Sequence, residues 1–144
     1  MTHGTRRVLP LVMLFLVAGS AHFVMPAWFD RIVPAWVPNA RVATLASGAA
    51  EIAGAIGLLI PATRVAAGWG LIALLLAVFP ANVNMLQMAR ATQASAGYLT
   101  GLWIRLPLQP LLIWWAWRVA VRGGMKANDA AEGEAGVEGE QLKG

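Results

Sequence analysis

The chain has 144 residues, of which 58% are hydrophobic and 12% are charged, with a net charge of +4 and no cysteine. Soluble domains are about 45–50% apolar and about 25% charged, so this composition excludes an ordinary soluble domain and indicates lipid as the solvent. The lack of cysteine excludes disulfides, thiolate metal sites and cysteine nucleophiles. The basic residues are scattered singly between apolar runs, which argues against nucleic-acid binding.

Four apolar stretches follow one another along the chain, over residues 8–25, 42–60, 65–88 and 102–121. Each has the roughly 17–25 residues that a helix needs to cross the hydrocarbon core of a membrane. Alternating strand patterns are missing, and only helices and closed barrels satisfy their backbone polar groups in lipid. We therefore predict an all-α, polytopic membrane protein: a four-transmembrane-helix bundle over residues 1–122.

The start of the chain has a second interpretation, a signal peptide that is cleaved after about residue 20. A basic start, an apolar core and small residues at Ala18 and Ser20 are typical of such a peptide. Apolar residues continue through Phe23, Val24 and Met25, past the expected cleavage point, and this favours a retained first helix. Sequencing of the mature N-terminus distinguishes the two interpretations.

Residues 26–41, PAWFDRIVPAWVPNAR, separate the first two predicted spans. Five large apolar residues recur there at helical spacing: Trp28, Phe29, Ile32, Val33 and Trp36. This spacing favours a short amphipathic helix in the membrane interface, held there by its tryptophans. A lid over a binding site is the alternative, and one segment can serve as both.

Charges outside the spans predict the topology and the nature of the C-terminal segment. With the N-terminus in the cytoplasm, seven Lys and Arg residues flank the spans on the cytoplasmic side and four on the outer side, so we expect both termini in the cytoplasm of a cell-membrane protein. Residues 123–144 contain five of the seven acidic residues and no aromatic residue. We predict that they form a disordered acidic tail.

Glu51 lies in the middle of the second predicted span, SGAAEIAGAIGLLIP. The strongly apolar residues of this span contribute about −2 to −4 kcal/mol to insertion, whereas one charge near the centre costs about 2.5–3.5 kcal/mol. The carboxyl group must therefore face other helices and be paired or protonated. Small residues on the same face allow close packing around it: Ser47, Gly48, Gly54 and Ala55, together with Leu58.

The other predicted spans place polar residues at a similar depth, in the non-cytoplasmic half of the membrane: His22, Asn82, Asn84, Arg105 and Gln109. Pro80, Pro107 and Pro110 interrupt backbone hydrogen bonding beside them, as in many membrane binding sites. We predict that these residues and Glu51 line a ligand pocket. The alternative is that they only hold the helices together by hydrogen bonds.

The chain contains only two histidines, His3 and His22, so we expect neither a bis-histidine haem nor a metal site. A hydrogen bond at the end of the first span is the favoured role. The sequence assigns no catalytic role to any residue.

Three stretches carry a resemblance to a known family: GSAHFVMPAWFDRIVPAWVP, the long segment from SGAAEIAGAIGLLIP to FPANVNM, and RLPLQPLLIWWAW. Over residues 8–118 the chain resembles the DoxX family of small bacterial membrane proteins. The resemblance implies a four-helix membrane bundle and links to quinol oxidase, thiosulfate:quinone oxidoreduction and oxidative or thiol stress. Because the chain lacks cysteine, any thiol chemistry belongs to a partner.

Two functions follow as hypotheses. The first is a small membrane subunit or accessory protein of a quinone-linked redox system, in which the polar pocket touches a quinone head group. Glu51 would exchange a proton with a quinol hydroxyl, Asn82 and Gln109 would orient the ring oxygens, and Arg105 would balance charge. The second hypothesis is a non-catalytic scaffold or a small-solute carrier; internal repeats that would favour a carrier are not evident.

Overall fold

The computed structural model describes residues 3–127, 129, 130 and 133. Within these residues the chain forms helices and short connections without any strand, which confirms the all-α class. The five α-helices are α1 (His3–Val24), α2 (Pro26–Asp30), α3 (Ala40–Leu59), α4 (Arg64–Ala91) and α5 (Ala96–Ala116). A 3₁₀ turn, Pro61–Thr63, joins α3 to α4, and a π-helical segment, Trp117–Arg122, continues α5.

Three segments of these helices are long and apolar enough to span a membrane: Thr5–Val24, Ala40–Leu59 and Pro61–Ala91. Large apolar side chains on these helices remain exposed, among them Val24 at 77%, Val17 at 66% and Leu76 at 59%. Surfaces of this kind are typical of helices that face lipid. The chain is therefore a membrane protein, with three of the four predicted spans meeting this criterion.

The fourth predicted span forms α5 and its π-helical continuation but is not among the candidate spans of the described residues. Its apolar run is interrupted by Arg105, Pro107, Gln109 and Pro110, which lower its mean hydropathy. The four-span bundle is therefore not confirmed by length and composition.

Side chains that accept from backbone N–H groups mark the starts of two helices. Asn39 Oδ1 accepts from the Val42 N–H at 3.1 Å and begins α3, while Ser95 Oγ accepts from the Tyr98 N–H at 3.4 Å and begins α5. Pro61 follows the last turn of α3, where it breaks the helix and opens the 3₁₀ turn. These caps fix where α3 and α5 enter the bundle.

Helices α1 and α3 cross at a pair of glycines. A Cβ atom on Gly19 would lie 2.8 Å from the Gly48 carbonyl oxygen, and one on Gly48 would lie 2.9 Å from the Gly19 carbonyl oxygen. The two backbones therefore touch, as at other small-residue crossings in membranes. On α3 the buried residues recur every three or four positions and form one stripe: Thr44, Gly48, Glu51, Ala55 and Leu58.

The main apolar core lies on the opposite side of this crossing from α2. Its least exposed large side chains are Val8, Leu11, Phe15, Leu58, Leu71 and Val121. Arg64 is buried at this end, where its Nε donates to the Leu58 carbonyl at 2.9 Å and its Nη2 donates to Thr5 Oγ1 at 3.3 Å. The sequence placed Arg64 only as a flanking charge, whereas it caps the C-terminal end of α3 from within the protein.

The segment between α1 and α3 is helical over a shorter range than the predicted amphipathic helix. Helical conformation is confined to Pro26–Asp30, and turns follow as far as residue 39. Pro34 and Pro38 lack backbone N–H donors, which prevents the helix from continuing. We call residues 26–39 the strap; its position in a membrane interface is not confirmed.

The predicted tail begins inside the described residues. Residues 123–127 are helical, and residues 128, 131, 132 and 134–144 lie outside the described residues. The disorder predicted for residues 123–144, like the alternative of a cleaved signal peptide, stays a prediction.

Candidate ligand site

A cavity of about 700 Å³ lies between the strap and helices α1, α3, α4 and α5. Most of the side chains that line it are apolar. The strap contributes Phe29, Ile32, Val33, Pro34, Trp36 and Val37 to the lining. The strap, for which a lid was one of the two interpretations of the sequence, thus covers one side of this cavity.

Glu51 reaches this cavity from the buried stripe of α3 and is only 8% exposed. Its Oε2 atom lies 3.4 Å from His22 Nδ1, yet it accepts no hydrogen bond within the described residues. His22 Nδ1 is 2.9 Å from the Ala18 carbonyl oxygen, and because a carbonyl only accepts, Nδ1 carries the hydrogen. The carboxyl group therefore borders a polarised N–H group and keeps an unused acceptor.

The histidine ring is held from the strap side by Phe29. The two ring centroids are 3.9 Å apart with an interplanar angle of 21°, a stacked arrangement. Gly48 of α3 packs against the histidine on another side, since a Cβ atom on Gly48 would lie 2.6 Å from His22 Cβ. His22 is thus positioned by an aromatic residue of the strap and by a glycine of α3, and neither partner was identified from sequence.

Gln109 and Asn82 form a chain of hydrogen bonds between α5 and α4. Gln109 Nε2 donates to the Leu75 carbonyl oxygen, so its Oε1 must be the acceptor for Asn82 Nδ2, at 2.5 Å. Gln109 is 6% exposed, and both ends of its amide are engaged. Asn82 keeps its carbonyl oxygen and one N–H for other partners. We call the side-chain amides of Asn82 and Gln109, together with the Leu75 carbonyl group, the amide relay.

Arg105 lines the cavity from α5 and is exposed, and it forms no hydrogen bond or ion pair within the described residues. The nearest basic group to Glu51 is therefore His22 and not Arg105. Thr44 also lines the cavity and was missed from sequence. It is 3% exposed, and its Oγ1 makes no hydrogen bond of standard geometry.

Asn84 is the one predicted pocket residue that does not line the cavity. Its Nδ2 instead donates to the Ile32 carbonyl oxygen at 3.0 Å and so ties the strap to α4. A second tie joins the strap to α3, where Arg41 Nε donates to Asp30 Oδ2 at 2.8 Å. The Thr44 side chain lowers the pKa of Asp30, and Arg41 lowers it further.

The described residues contain no group of three His, Cys, Asp or Glu side chains placed to hold a metal ion. What the site offers is an apolar cavity with a buried acceptor at Glu51, a hydroxyl at Thr44, an unengaged cation at Arg105 and half of the Asn82 amide. Such a set binds a small molecule with an apolar body and a polar head.

One comparison with known proteins gives a match. The sequence profile of a domain of unknown function, DUF8561, matches residues 11–120, which include α1 from its third turn onward, the strap, α3, α4, α5 and the whole cavity lining. No curated protein and no solved structure matches the chain significantly.

Proposed function

The chain belongs to the DUF8561 family, and we propose that it is a small integral protein of the cell membrane that binds a quinone as an accessory subunit of a redox system. The observation that carries this proposal is the cavity of about 700 Å³, which joins a largely apolar lining to a few polar groups. Small-molecule sites of roughly 300–1,000 Å³ have this composition. A quinone matches it because an apolar tail is attached to a ring with two polar oxygens.

The proposal includes a fourth span formed by α5. Its 21 residues extend for about 31 Å at 1.5 Å per residue, close to the thickness of the hydrocarbon core. Gln109 is buried against α4, while Trp103, Ile104, Leu108 and Leu111 are exposed and suited to lipid. With four spans both termini lie on the same side, and the excess of Lys and Arg favours the cytoplasm.

Within the cavity the unengaged groups define how the head group is held. Glu51 Oε2 accepts from a ring hydroxyl or holds the proton that a quinol releases. Arg105 and the free N–H of Asn82 donate to a ring oxygen. Gln109 does not touch the ligand in this scheme, because both ends of its amide serve the amide relay. The electrons of quinone chemistry pass to or from a partner subunit.

The resemblance to the DoxX family supports the same assignment. Its motifs include His22, Glu51, Asn82, Arg105 and Gln109, and all five line the cavity.

A non-catalytic scaffold is the second candidate, and the amide relay favours it. Gln109 and Asn82 join α5 to α4 without any ligand, as residues that only hold helices together would do. A small-solute carrier belongs to the same alternative, since the cavity has room for a solute. The two candidates differ at Glu51 and Arg105, neither of which makes a hydrogen bond to another helix among the described residues.

The proposal is tested by titrating the purified full chain in detergent with a short-chain quinone and following tryptophan fluorescence, since Trp36 lines the cavity. Hydrogen bonds to charged groups contribute about 1.5–3 kcal/mol, so Glu51→Gln and Arg105→Ala should each weaken binding roughly 10-fold or more. Arg90→Ala is the matched control, because Arg90 is an exposed helical arginine outside the cavity lining. Equal quinone affinity in the unmodified chain and the three variants contradicts the quinone site. If the unmodified chain binds no quinone and the variants at Glu51 and Arg105 lose helix content, the scaffold is favoured.

A further inference from the structure

The end of the molecule remote from the cavity carries an unbalanced positive charge. Thr5 and Gly124 both approach Arg64: Thr5 Oγ1 accepts from Nη2 at 3.3 Å, and a Cβ on Gly124 would lie 3.8 Å from Arg64 Cγ. The first turn of α1, the start of α4 and the helical end after α5 therefore meet here. Five exposed basic residues belong to these segments, and we call them the basic end: Arg6, Arg7, Arg118, Arg122 and Lys126.

The described residues contain three carboxylates. Asp30 lies in the strap and Glu51 in the cavity, whereas Asp129 follows Lys126 by three residues and forms no ion pair with the basic end. Among the described residues no ion pair involves a member of the basic end. The basic end thus presents five full charges to its surroundings.

The π-helical segment holds two of these arginines over tryptophan rings. The Arg118 guanidinium carbon is 5.5 Å from the centre of the Trp114 ring, and that of Arg122 is 5.2 Å from the Trp117 ring. The second pair is five residues apart, and the wider turn of a π-helix brings residues at that spacing together. Cation–π contacts orient both guanidinium groups while leaving their N–H donors free.

We propose that the basic end binds the phosphate groups of anionic phospholipids. Tryptophan and arginine at the end of an apolar helix lie at the level of the lipid head groups, where guanidinium forks bind phosphate. The five basic residues come from both ends of the described chain, so a bound lipid would join the first and last helices of the bundle. This inference requires only that the chain spans a membrane, and it does not depend on a quinone in the cavity.

Native mass spectrometry of the full chain tests this binding, with short-chain phosphatidylglycerol, phosphatidylcholine and inorganic phosphate as separate probes. We expect phosphatidylglycerol to bind at least 10-fold more tightly than phosphatidylcholine. A basic residue at an anionic surface contributes a factor of about five, so Arg118→Gln with Arg122→Gln should abolish a preference of about 10-fold. Arg31→Gln with Arg90→Gln is the matched control, because it removes the same charge from exposed arginines at the other end.

A second double variant, Arg118→Lys with Arg122→Lys, keeps the charge and should retain most of the preference. Equal binding of the two lipids by the unmodified chain overturns the proposal, as does equal loss in the control variant. Binding of inorganic phosphate as tight as that of phosphatidylglycerol also overturns it and indicates a free anion as the ligand.

The acidic tail is the competing occupant. It contains Asp129, Glu132, Glu134, Glu138 and Glu140. If the unmodified chain shows no lipid preference but the chain with these acids replaced by their amides does, the tail occupies the basic end and the lipid proposal is wrong for the intact protein.

Discussion

The two halves of the bundle differ in how their interiors are filled. Toward Arg64, aliphatic and aromatic side chains such as Leu11 and Leu58 are completely buried, and the polar Arg64 is satisfied by backbone and side-chain acceptors. Toward the strap, a smaller buried cluster of Met85, Leu86, Ala89 and Leu102 lies in the same half as the cavity. Buried polar atoms of Thr44 and Glu51 make no hydrogen bond there within the described residues. The difference indicates that the half near Arg64 stabilises the helix arrangement. The strap half can therefore keep a cavity for a ligand.

The glycine crossing of α1 and α3 lies at the boundary between these halves. It brings Gly19 and Gly48 into backbone contact and fixes the distance between His22 and Glu51 one turn away. A protein that only needed stability would fill the space beyond the crossing with aliphatic side chains. This chain has polar residues there from four helices.

The largest effect should come from the packed half. Leu58 is completely buried, so Leu58→Ala should lower the free energy of unfolding by about 2–5 kcal/mol, with the lower end favoured because lipid also solvates apolar groups well. Leu76 is 59% exposed, so Leu76→Ala should stay within about 0.5 kcal/mol. Unfolding in mixed micelles measures both. Similar losses in the two variants would contradict the division into a packed half and a binding half.

The next effect concerns the crossing. Gly48→Ala should cost about 1–3 kcal/mol, because its Cβ would lie 2.6 Å from His22 Cβ and 2.9 Å from a backbone oxygen, so α1 and α3 must separate. Quinone affinity should fall as well, since His22 moves away from Glu51. Gly70 has no heavy atom within 4 Å of an added Cβ, so Gly70→Ala should be neutral or stabilising by up to about 1 kcal/mol.

Stability and quinone affinity should be measured together in the Gly48→Ala variant. If stability fell while quinone affinity was unchanged, the crossing would support the fold alone, and the His22–Glu51 distance would not matter for binding.

The amide relay should have a smaller effect on stability. Hydrogen bonds between membrane helices average about 0.6 kcal/mol and reach about 1.7 kcal/mol, so Gln109→Leu should destabilise the protein within that range. Gln87→Leu is the matched control, an exposed glutamine of α4 outside the cavity lining. If Gln109→Leu abolished quinone binding without any loss of stability, Gln109 would contact the ligand directly, contrary to the scheme above.

The sequence predicted the parts of this structure that follow from local patterns. The second predicted span, 42–60, forms α3, Ala40–Leu59. Of the six residues predicted to share a face, Gly48, Glu51, Ala55 and Leu58 are buried, whereas Ser47 and Gly54 are half-buried. Helical periodicity and the cost of a carboxylate in lipid were sufficient for this result. Five of the six residues predicted to line a pocket lie around one cavity, and their role in binding stays a prediction.

Local sequence patterns of this kind do not predict contacts between segments that are distant in the chain. Nothing in the local sequence near Arg105 shows that it lies apart from Glu51, or that Asn84 binds the strap at Ile32. Thr44 was overlooked because a lone threonine is common in membrane helices and carries no pattern of its own. Its burial depends on how α2 and the following turns fold back over α3, which two prolines and the ion pair of Asp30 with Arg41 determine.

The smallest effect should be a pH-dependent opening of the strap. The pKa of Asp30 lies below its ordinary value of 3.8 because of Thr44 and Arg41. A lowered pKa means that the tie of the strap to α3 is complete above the unfolded pKa and is lost as the pH falls through the folded one. The protection of the strap amides against hydrogen exchange, measured relative to the intrinsic rate at each pH, should therefore fall below about pH 4, since protonation removes the charge that Arg41 binds.

Asp30→Asn isolates this tie from other acid-sensitive groups. The variant should exchange faster than the unmodified chain at neutral pH and should show no further step on acidification. Because Arg41 is 54% exposed, water and salt already weaken the ion pair, and the increase in exchange should shrink further at high ionic strength. An acid step that persists in Asp30→Asn would show that the strap responds to another acidic group and not to its own ion pair.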